Sequence, residues 1–296
     1  MSREDVRIPS AGEQLAAYLY RPESSSGLVP CVVMAHGFSA TRDDGLPPYA
    51  EAFVDAGFAV VLFDYRHFGA STGQPRQLLD IGRQHDDYRA VVRWARQADG
   101  IDPDRIVLWG SSFSGGHVLA VASTDPRIAA VVSQAPYTDS LPAVRAMPVA
   151  NLLRASAAAV RDRIGAALGR RPSLIPAVGD PGTFAVMTAP DAKPGFEAIV
   201  GPQSLWRNEV AARFVLPLAF YRPVRMARRL QMPVLVCVCD ADTTTPPDSS
   251  VRAALQAPRG ELRRYPYGHF AIYHDPQVKA DQVEFLQRVV LRSRQA

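Results

Sequence analysis

A serine hydroxyl attacks a carbonyl efficiently only when a base removes its proton, and three separated positions in this 296-residue chain hold the residue types that chemistry needs. The first lies in Ile106-Val107-Leu108-Trp109-Gly110-Ser111-Ser112-Phe113-Ser114-Gly115-Gly116, where an apolar run enters a turn of very small residues and leaves as a helical pattern. This is the setting of a nucleophile elbow, a sharp strand-to-helix turn that strains its central serine and keeps small neighbours two positions to either side. Ser112 occupies the centre, with Gly110 before it and Ser114 where a glycine is more usual. Ser114 is the alternative nucleophile, although it moves the turn two residues from the strand end. Taken alone, such a turn also serves to bind an anion at a helix N-terminus, or does no chemistry at all.

The run Val234 to Cys239 ends in Asp240-Ala241-Asp242-Thr243-Thr244-Thr245-Pro246, which puts carboxylates at the C-terminal end of an expected parallel strand. Asp242 is the expected acid and Asp240 the alternative. A base follows in Tyr267-Gly268-His269-Phe270, just past the last expected strand, giving the chain order Ser112, Asp242, His269. Each of these loops has an ordinary turn-forming explanation of its own. Their order at three strand ends is much harder to explain that way. Of the other histidines, His85 and His117 fall inside expected helices, His67 and His274 flank the site regions as possible lining residues, and His36 reads as structural. After the run Cys31 to Ala35 comes His36-Gly37-Phe38, a turn whose amides can face a developing oxyanion; Phe38 and Phe113 N–H are the expected pair.

These loops need a scaffold. Val6 to Ile8 and Leu15 to Tyr20 read as an edge hairpin, and four apolar runs follow at Cys31 to Ala35, Ala59 to Phe63, Ile106 to Trp109 and Ile128 to Ser133. Short runs of this kind suit strands buried on both faces of a parallel sheet. Helical patterns at Tyr49 to Ala56, Ile81 to Gln97 and Phe113 to Ser123 alternate with them, so the rhythm predicts an α/β sheet with right-handed crossovers. From Thr138 to Met232 no strand signal appears; helices are expected at Ala150 to Leu168 and Glu209 to Phe220, around a stretch from Pro172 to Pro202 that contains six prolines. Alternation resumes with a strand at Val234 to Cys239, a helix at Ser249 to Gln256, a strand at Leu262 to Tyr265 and a closing helix at Gln277 to Arg292. The expected division is a core of residues 1–137 and 233–296 interrupted by a cap of residues 138–232.

Composition removes several function classes. A net charge of +4 is far too mild for a dedicated nucleic-acid binder. No apolar run reaches the roughly 18 residues of a membrane span, and the opening MSREDVRIPS does not build a signal peptide. Cys31, Cys237 and Cys239 are an odd set, and an extended Cys-x-Cys is a poor disulfide, so buried thiols in a reducing cytoplasm are expected.

The chain resembles the α/β-hydrolase superfamily over nearly all of its length except the cap. The matching pieces are His36-Gly37-Phe38, Phe63-Asp64-Tyr65-Arg66 with Phe68-Gly69, the Gly110 to Gly116 elbow, Asp242 before Pro246, and Gly268-His269. It is similar in particular to dienelactone-hydrolase-like and peptidase-like serine hydrolases, a grouping that includes fungal polyketide transferases. The resemblance implies a mostly parallel eight-stranded sheet whose second strand is antiparallel, a catalytic triad and no cofactor, while the break in rhythm makes residues 138–232 a mainly helical cap inserted after the sixth strand. Departures are Ser114 for glycine, and Cys239 where a glycine often precedes the acid loop. A serine at the elbow argues against dehalogenase or epoxide-hydrolase chemistry, which in related enzymes uses an aspartate there.

The expected activity is hydrolysis of a carboxylic ester carrying an apolar acyl group. Thioester hydrolysis or acyl transfer, an aminopeptidase or amidase, and a non-catalytic receptor are the alternatives. Met147, Leu152, Leu153, Phe184, Met187, Phe196, Trp206, Phe214, Phe220 and Tyr221 can either roof the acyl pocket or form the cap's own core. Residues 138–232 carry a net charge of +7 and the remainder −3. Arg161, Arg163, Arg170, Arg171, Arg225, Arg228 and Arg229 thus form either a solvated surface or a face for an anionic substrate, a carrier thioester or a membrane.

Overall fold

A computed structural model describes residues 1–23, 27–146 and 149–292 of the chain. In chain order the strands are β1 (Ser2–Ser10), β2 (Glu13–Arg21), β3 (Val29–Ala35), β4 (Ala59–Phe63), β5 (Ile101–Ser111), β6 (Ile128–Gln134), β7 (Leu174–Ile175), β8 (Val210–Ala211), β9 (Val234–Cys239) and β10 (Gly260–Tyr265). The helices are α1 (Pro47–Asp55), α2 (Ile81–Ala95), α3 (Phe113–Ala122), α4 (Ser140–Ala146), α5 (Val149–Ala167), α6 (Ala192–Ile199), α7 (Val215–Leu218), α8 (Pro247–Gln256) and α9 (Pro276–Leu286). Among the described residues one sheet has eight strands in the order β1-β2-β4-β3-β5-β6-β9-β10. β2 runs antiparallel to both β1 and β4, and the remaining neighbours pair in parallel. This is the α/β-hydrolase architecture that the resemblance implied.

Period-two alternation divides the core into two layers. Val33, Val61 and Leu108 face Tyr88 and Val91 of α2 and Val118 and Leu119 of α3. Val32, Val60 and Val107 face Tyr49 and Phe53 of α1 and Phe285 and Leu286 of α9. The strands are apolar on both faces because helices cover both. Cys31, Cys237 and Cys239 are free thiols buried in these layers.

β3 pairs with β4 on one side and β5 on the other, so the connections leaving β3 and β5 diverge and open a crevice at their C-terminal ends. The Gly37 turn and the Ser112 turn flank that crevice.

Two expectations for residues 138–232 are overturned. Glu209 to Phe220 is not one helix: β8 is followed by a 3-10 turn at Ala212–Phe214 and the four-residue α7. The amides of Ala211 and Ala212 are committed to the Gln77 and Ser173 carbonyls, and Arg213 N–H donates to Asp162, so this backbone is bonded across the fold instead of along a helix. Strand structure is present as well, because β7 pairs with β8 in a two-residue ladder too short to leave an alternation signal. Within the proline-rich stretch α6 forms with Pro194 in its first turn, where a missing N–H costs nothing. α5 matches the expected helix closely, and it is tied to its surroundings through Asp162. That carboxylate accepts from Arg213 Nε at 2.8 Å and from Ser173 N at 2.7 Å.

Candidate active site

Ser112 sits between β5 and α3 with φ 57° and ψ −119°, a conformation that costs a non-glycine residue strain energy and persists only where surroundings enforce it. Enforcement is visible. Ser112 N–H donates to Gln134 O at 2.8 Å, and its carbonyl accepts from Tyr137 N at 2.8 Å. A Cβ on Gly110 would lie 2.4 Å from Ser114 O, so glycine is required where strand and helix approach. Ser114 itself is buried against the core, its Oγ 2.6 Å from Tyr88 OH and 3.0 Å from Tyr65 OH. It therefore faces away from the crevice while Ser112 faces into it.

Ser112 Oγ lies 3.0 Å from His269 Nε2, and His269 Nδ1 lies 2.6 Å from Asp242 Oδ2. The loops meet because β9 and β10 are neighbours: Asp240 N donates to Tyr265 O at 2.8 Å and Ala241 N to Tyr267 O at 3.2 Å. Burial pushes the Asp242 carboxyl up, yet the charge and hydrogen bond of His269 and the donors of Thr245 outweigh burial and hold it below its ordinary value. An ionised carboxylate only accepts, so the proton between this pair belongs on Nδ1, and Nε2 is left free to accept from Ser112. Asp240, the alternative acid, instead pairs with Arg264 at 2.8 Å near the surface.

Thr245 was not singled out from the sequence. Its Oγ1 donates to Asp242 Oδ2 at 2.7 Å, and its amide donates to Oδ1 at 2.6 Å, beside Thr244 N at 2.9 Å. Every acceptor direction of Asp242 is thus occupied. The signal was the Asp-x-x-Thr spacing, in which a carboxylate caps the turn that follows it.

Phe38 lies in the turn after β3, and the Phe113 N–H opens α3, where the first turn has no intrahelical acceptor. Behind the Phe38 turn the Asp64 carboxylate accepts from Arg42 N at 2.7 Å and Ala70 N at 2.9 Å. Burial raises Asp64 to about 6 despite Arg42 beside it. His36 is structural: its Nδ1 bonds the Gly37 carbonyl at 2.9 Å, and burial lowers it to about 4.

Ser112 and His269 open on a narrow cleft walled by Phe38, Met187, Phe196, Ile199, Phe270 and Tyr273. Met187 and Phe196 thus serve the pocket, and Trp206 stacks on Phe196 with ring centroids 4.6 Å apart. Phe214 packs on the Phe38 ring and Tyr221 on Phe113, beneath the site. Leu153 and Phe220 are 65% and 85% exposed and belong to neither group, and Met147 lies outside the described residues. His274 lines a second groove on the far side of Phe270, together with Asp191. His67 is buried near Arg83, and His117 bonds Tyr221 OH and Gln84 Oε1 at 2.6 and 2.9 Å. Among the described residues no three His, Cys, Asp or Glu side chains are grouped to hold a metal ion.

Comparison with known proteins agrees with this architecture. Residues 11–152, from β2 to the start of α5, match the family model of the X-Pro dipeptidyl-peptidase (S15 family). The chain is 46% identical to the quorum-quenching protein AidA of Acinetobacter baumannii (strain MDR-ZJ06) over 97% of its own length and 95% of the relative's. It is 33% identical to the thiohydrolase aneE of Aspergillus aculeatus over 72% of its length and 67% of that protein. The crystal structure of the α/β hydrolase GrgF from Penicillium sp. sh18 superposes with a TM-score of 0.83 at 24% identity, covering 98% of this chain and all of that one.

Proposed function

The chain belongs to the α/β-hydrolase superfamily, in the same family as AidA and within a hydrolase and acyl-transfer group, and on that premise we propose that it is a serine hydrolase cleaving carboxylic esters through an acyl-enzyme. The observation that carries this reading is the unbroken relay from Asp242 through His269 to Ser112 at the mouth of an apolar cleft.

Ser112 Oγ attacks the ester carbonyl while His269 Nε2 takes its proton, and Asp242 stabilises the imidazolium that results. The carbonyl oxygen becomes an oxyanion held by the Phe38 and Phe113 amides, each such donor contributing about 3 kcal/mol. Collapse breaks the bond to the alcohol, which leaves with the proton from His269. Water then attacks the acyl-enzyme by the same route in reverse and frees Ser112.

Residues 138–232 act as the cap in this reading. Met187, Phe196 and Ile199 wall the cleft with apolar side chains, which suits an apolar acyl group. The AidA relationship makes a quorum signal the first substrate to try. A second reading, cleavage of a thioester or transfer of its acyl group to an alcohol, is favoured by the thiohydrolase relative and needs no other residues. Free, buried thiols suit a reducing cytoplasm as the place of work.

The test is labelling with a fluorophosphonate followed by peptide mapping. Modification at Ser112, blocked in Ser112→Ala, is expected; absence of labelling, or labelling at Ser114, overturns the assignment. Product analysis on ester, thioester and amide panels with a competing alcohol then separates hydrolysis from transfer.

A further inference from the structure

Helix α5 turns its apolar side outward. Val149, Leu153, Val160 and Ile164, with Leu168 one residue past the helix end, are 47% to 71% exposed. At helical geometry these five side chains fall within one arc of about 100°. Ala150, Ala157 and Ala167, also exposed, fill the rest of that arc, and no polar residue interrupts it. The opposite side is the one attached to the protein, through buried Ala155, Ala159 and the Asp162 ion pair with Arg213. This polarity is inverted relative to an ordinary surface helix, whose stripe faces the core.

Charge borders the stripe. Arg154 and Arg161 follow one edge and Arg163 the other, with Arg145 before the helix and Arg170 and Arg171 beyond it, all exposed. Between Asp139 and Asp180 the sequence holds one acid, Asp162, which is buried and already bonded to Arg213. None of the six arginines has an acidic partner within 4.0 Å among the described residues.

We propose that α5 is a docking helix for an anionic membrane surface, laying its aliphatic stripe into the headgroup boundary while the flanking arginines meet lipid phosphates. The helix lies in the plane of the surface: it is 19 residues long, and no helix among the described residues is long and apolar enough to cross a bilayer. A second copy of the chain is a poor occupant. Two-fold pairing through this face would bring the same arginines together with no exposed acid on the helix to meet them. The proposal stands apart from the catalytic reading, because none of these residues lines the Ser112 cleft.

The test is co-sedimentation of the full chain with vesicles of phosphatidylcholine alone and of phosphatidylcholine with roughly one-third phosphatidylglycerol. Binding to the mixed vesicles should be at least about tenfold stronger and should weaken as salt rises. Val160→Gln with Ile164→Gln, and separately Arg154→Gln with Arg161→Gln, should each lose about tenfold or more of that binding at an unchanged thermal midpoint. Equal binding to both vesicle types, or none, overturns the proposal. So does a wild-type dimer that the Val160 and Ile164 pair converts to monomer by sedimentation velocity, which would show that a second copy covers the face.

Discussion

A side-chain carbon built on Gly37 would sit 3.0 Å from Ser112 Cβ and 3.2 Å from the Ser111 carbonyl oxygen. The turn after β3 and the turn after β5 are in contact across the crevice, so in the proposed mechanism the Phe38 amide shares a reacting carbonyl with Ser112 only while residue 37 lacks a side chain. Gly37→Ala must push the two turns apart by a few tenths of an ångström. The expected result is a fall in kcat of about ten- to a hundred-fold with little change in KM, since donor alignment in the transition state suffers more than substrate binding. Full kcat in this variant would show that the turns are not coupled.

The two serines of the elbow should separate cleanly. Ser112→Ala should lower kcat by about a million-fold and leave the thermal midpoint nearly unchanged, because alanine keeps the same backbone conformation and gives up only the hydroxyl contact with His269. Ser114→Ala removes the hydroxyl bonded to Tyr65 and Tyr88, costing about 1–2 kcal/mol of stability while turnover persists. Kinetics with denaturant melts check both, and the reverse pattern would make Ser114 the nucleophile.

In the proposed mechanism Thr245 is a positioning residue, acting on the substrate only through Asp242 and His269. Thr245→Val deletes the donor at 2.7 Å from Asp242 Oδ2 and should reduce kcat about tenfold, leave KM alone and be rescued by Thr245→Ser. Equal losses in the Val and Ser variants would assign the effect to packing.

Acid sensitivity follows from buried neutral histidines. Burial lowers His36 and His85 to about 4, and His117 well below its ordinary value. In the unfolded chain these rings titrate near ~6.5, so below that pH the unfolded state binds protons the folded state refuses, and stability falls as pH falls toward 4. Asp64, raised to about 6, binds a proton in the folded state and opposes the trend below pH 6. Replacing one ring isolates the effect: His36→Gln should make stability against pH shallower by up to about 1.4 kcal/mol per unit between pH 6 and 5. Urea midpoints at pH 7, 6 and 5 give the slopes, and identical slopes in wild type and variant would count against a neutral buried His36.

Much of the candidate site was legible because its parts are local. The Gly110 to Gly116 run, the acid loop after β9 and His269 after β10 are each marked by small or polar residues where an apolar strand stops, and parallel strands deliver such loops to one end of a sheet. Thr245 was hidden because a threonine in a turn has many ordinary uses. The helix expected over Glu209 to Phe220 failed for a related reason: its backbone partners, Gln77 and Ser173, are remote in sequence, and no periodicity records them.

From sequence alone the chain determined its strand and helix rhythm, the order serine, acid, base, and the positive charge of residues 138–232, since all three depend on residue type and spacing. Only tertiary structure places Ser112 beside His269 and Ser114 against Tyr88, and Asp242 beside His269 and Asp240 beside Arg264, because each pair differs in the direction its side chains leave the backbone. It alone decided which residues of the 138–232 segment wall the cleft and that the aliphatic side of α5 faces outward. Burial is a property of what packs on a surface, and helical spacing marks a stripe without saying whether protein or solvent lies against it.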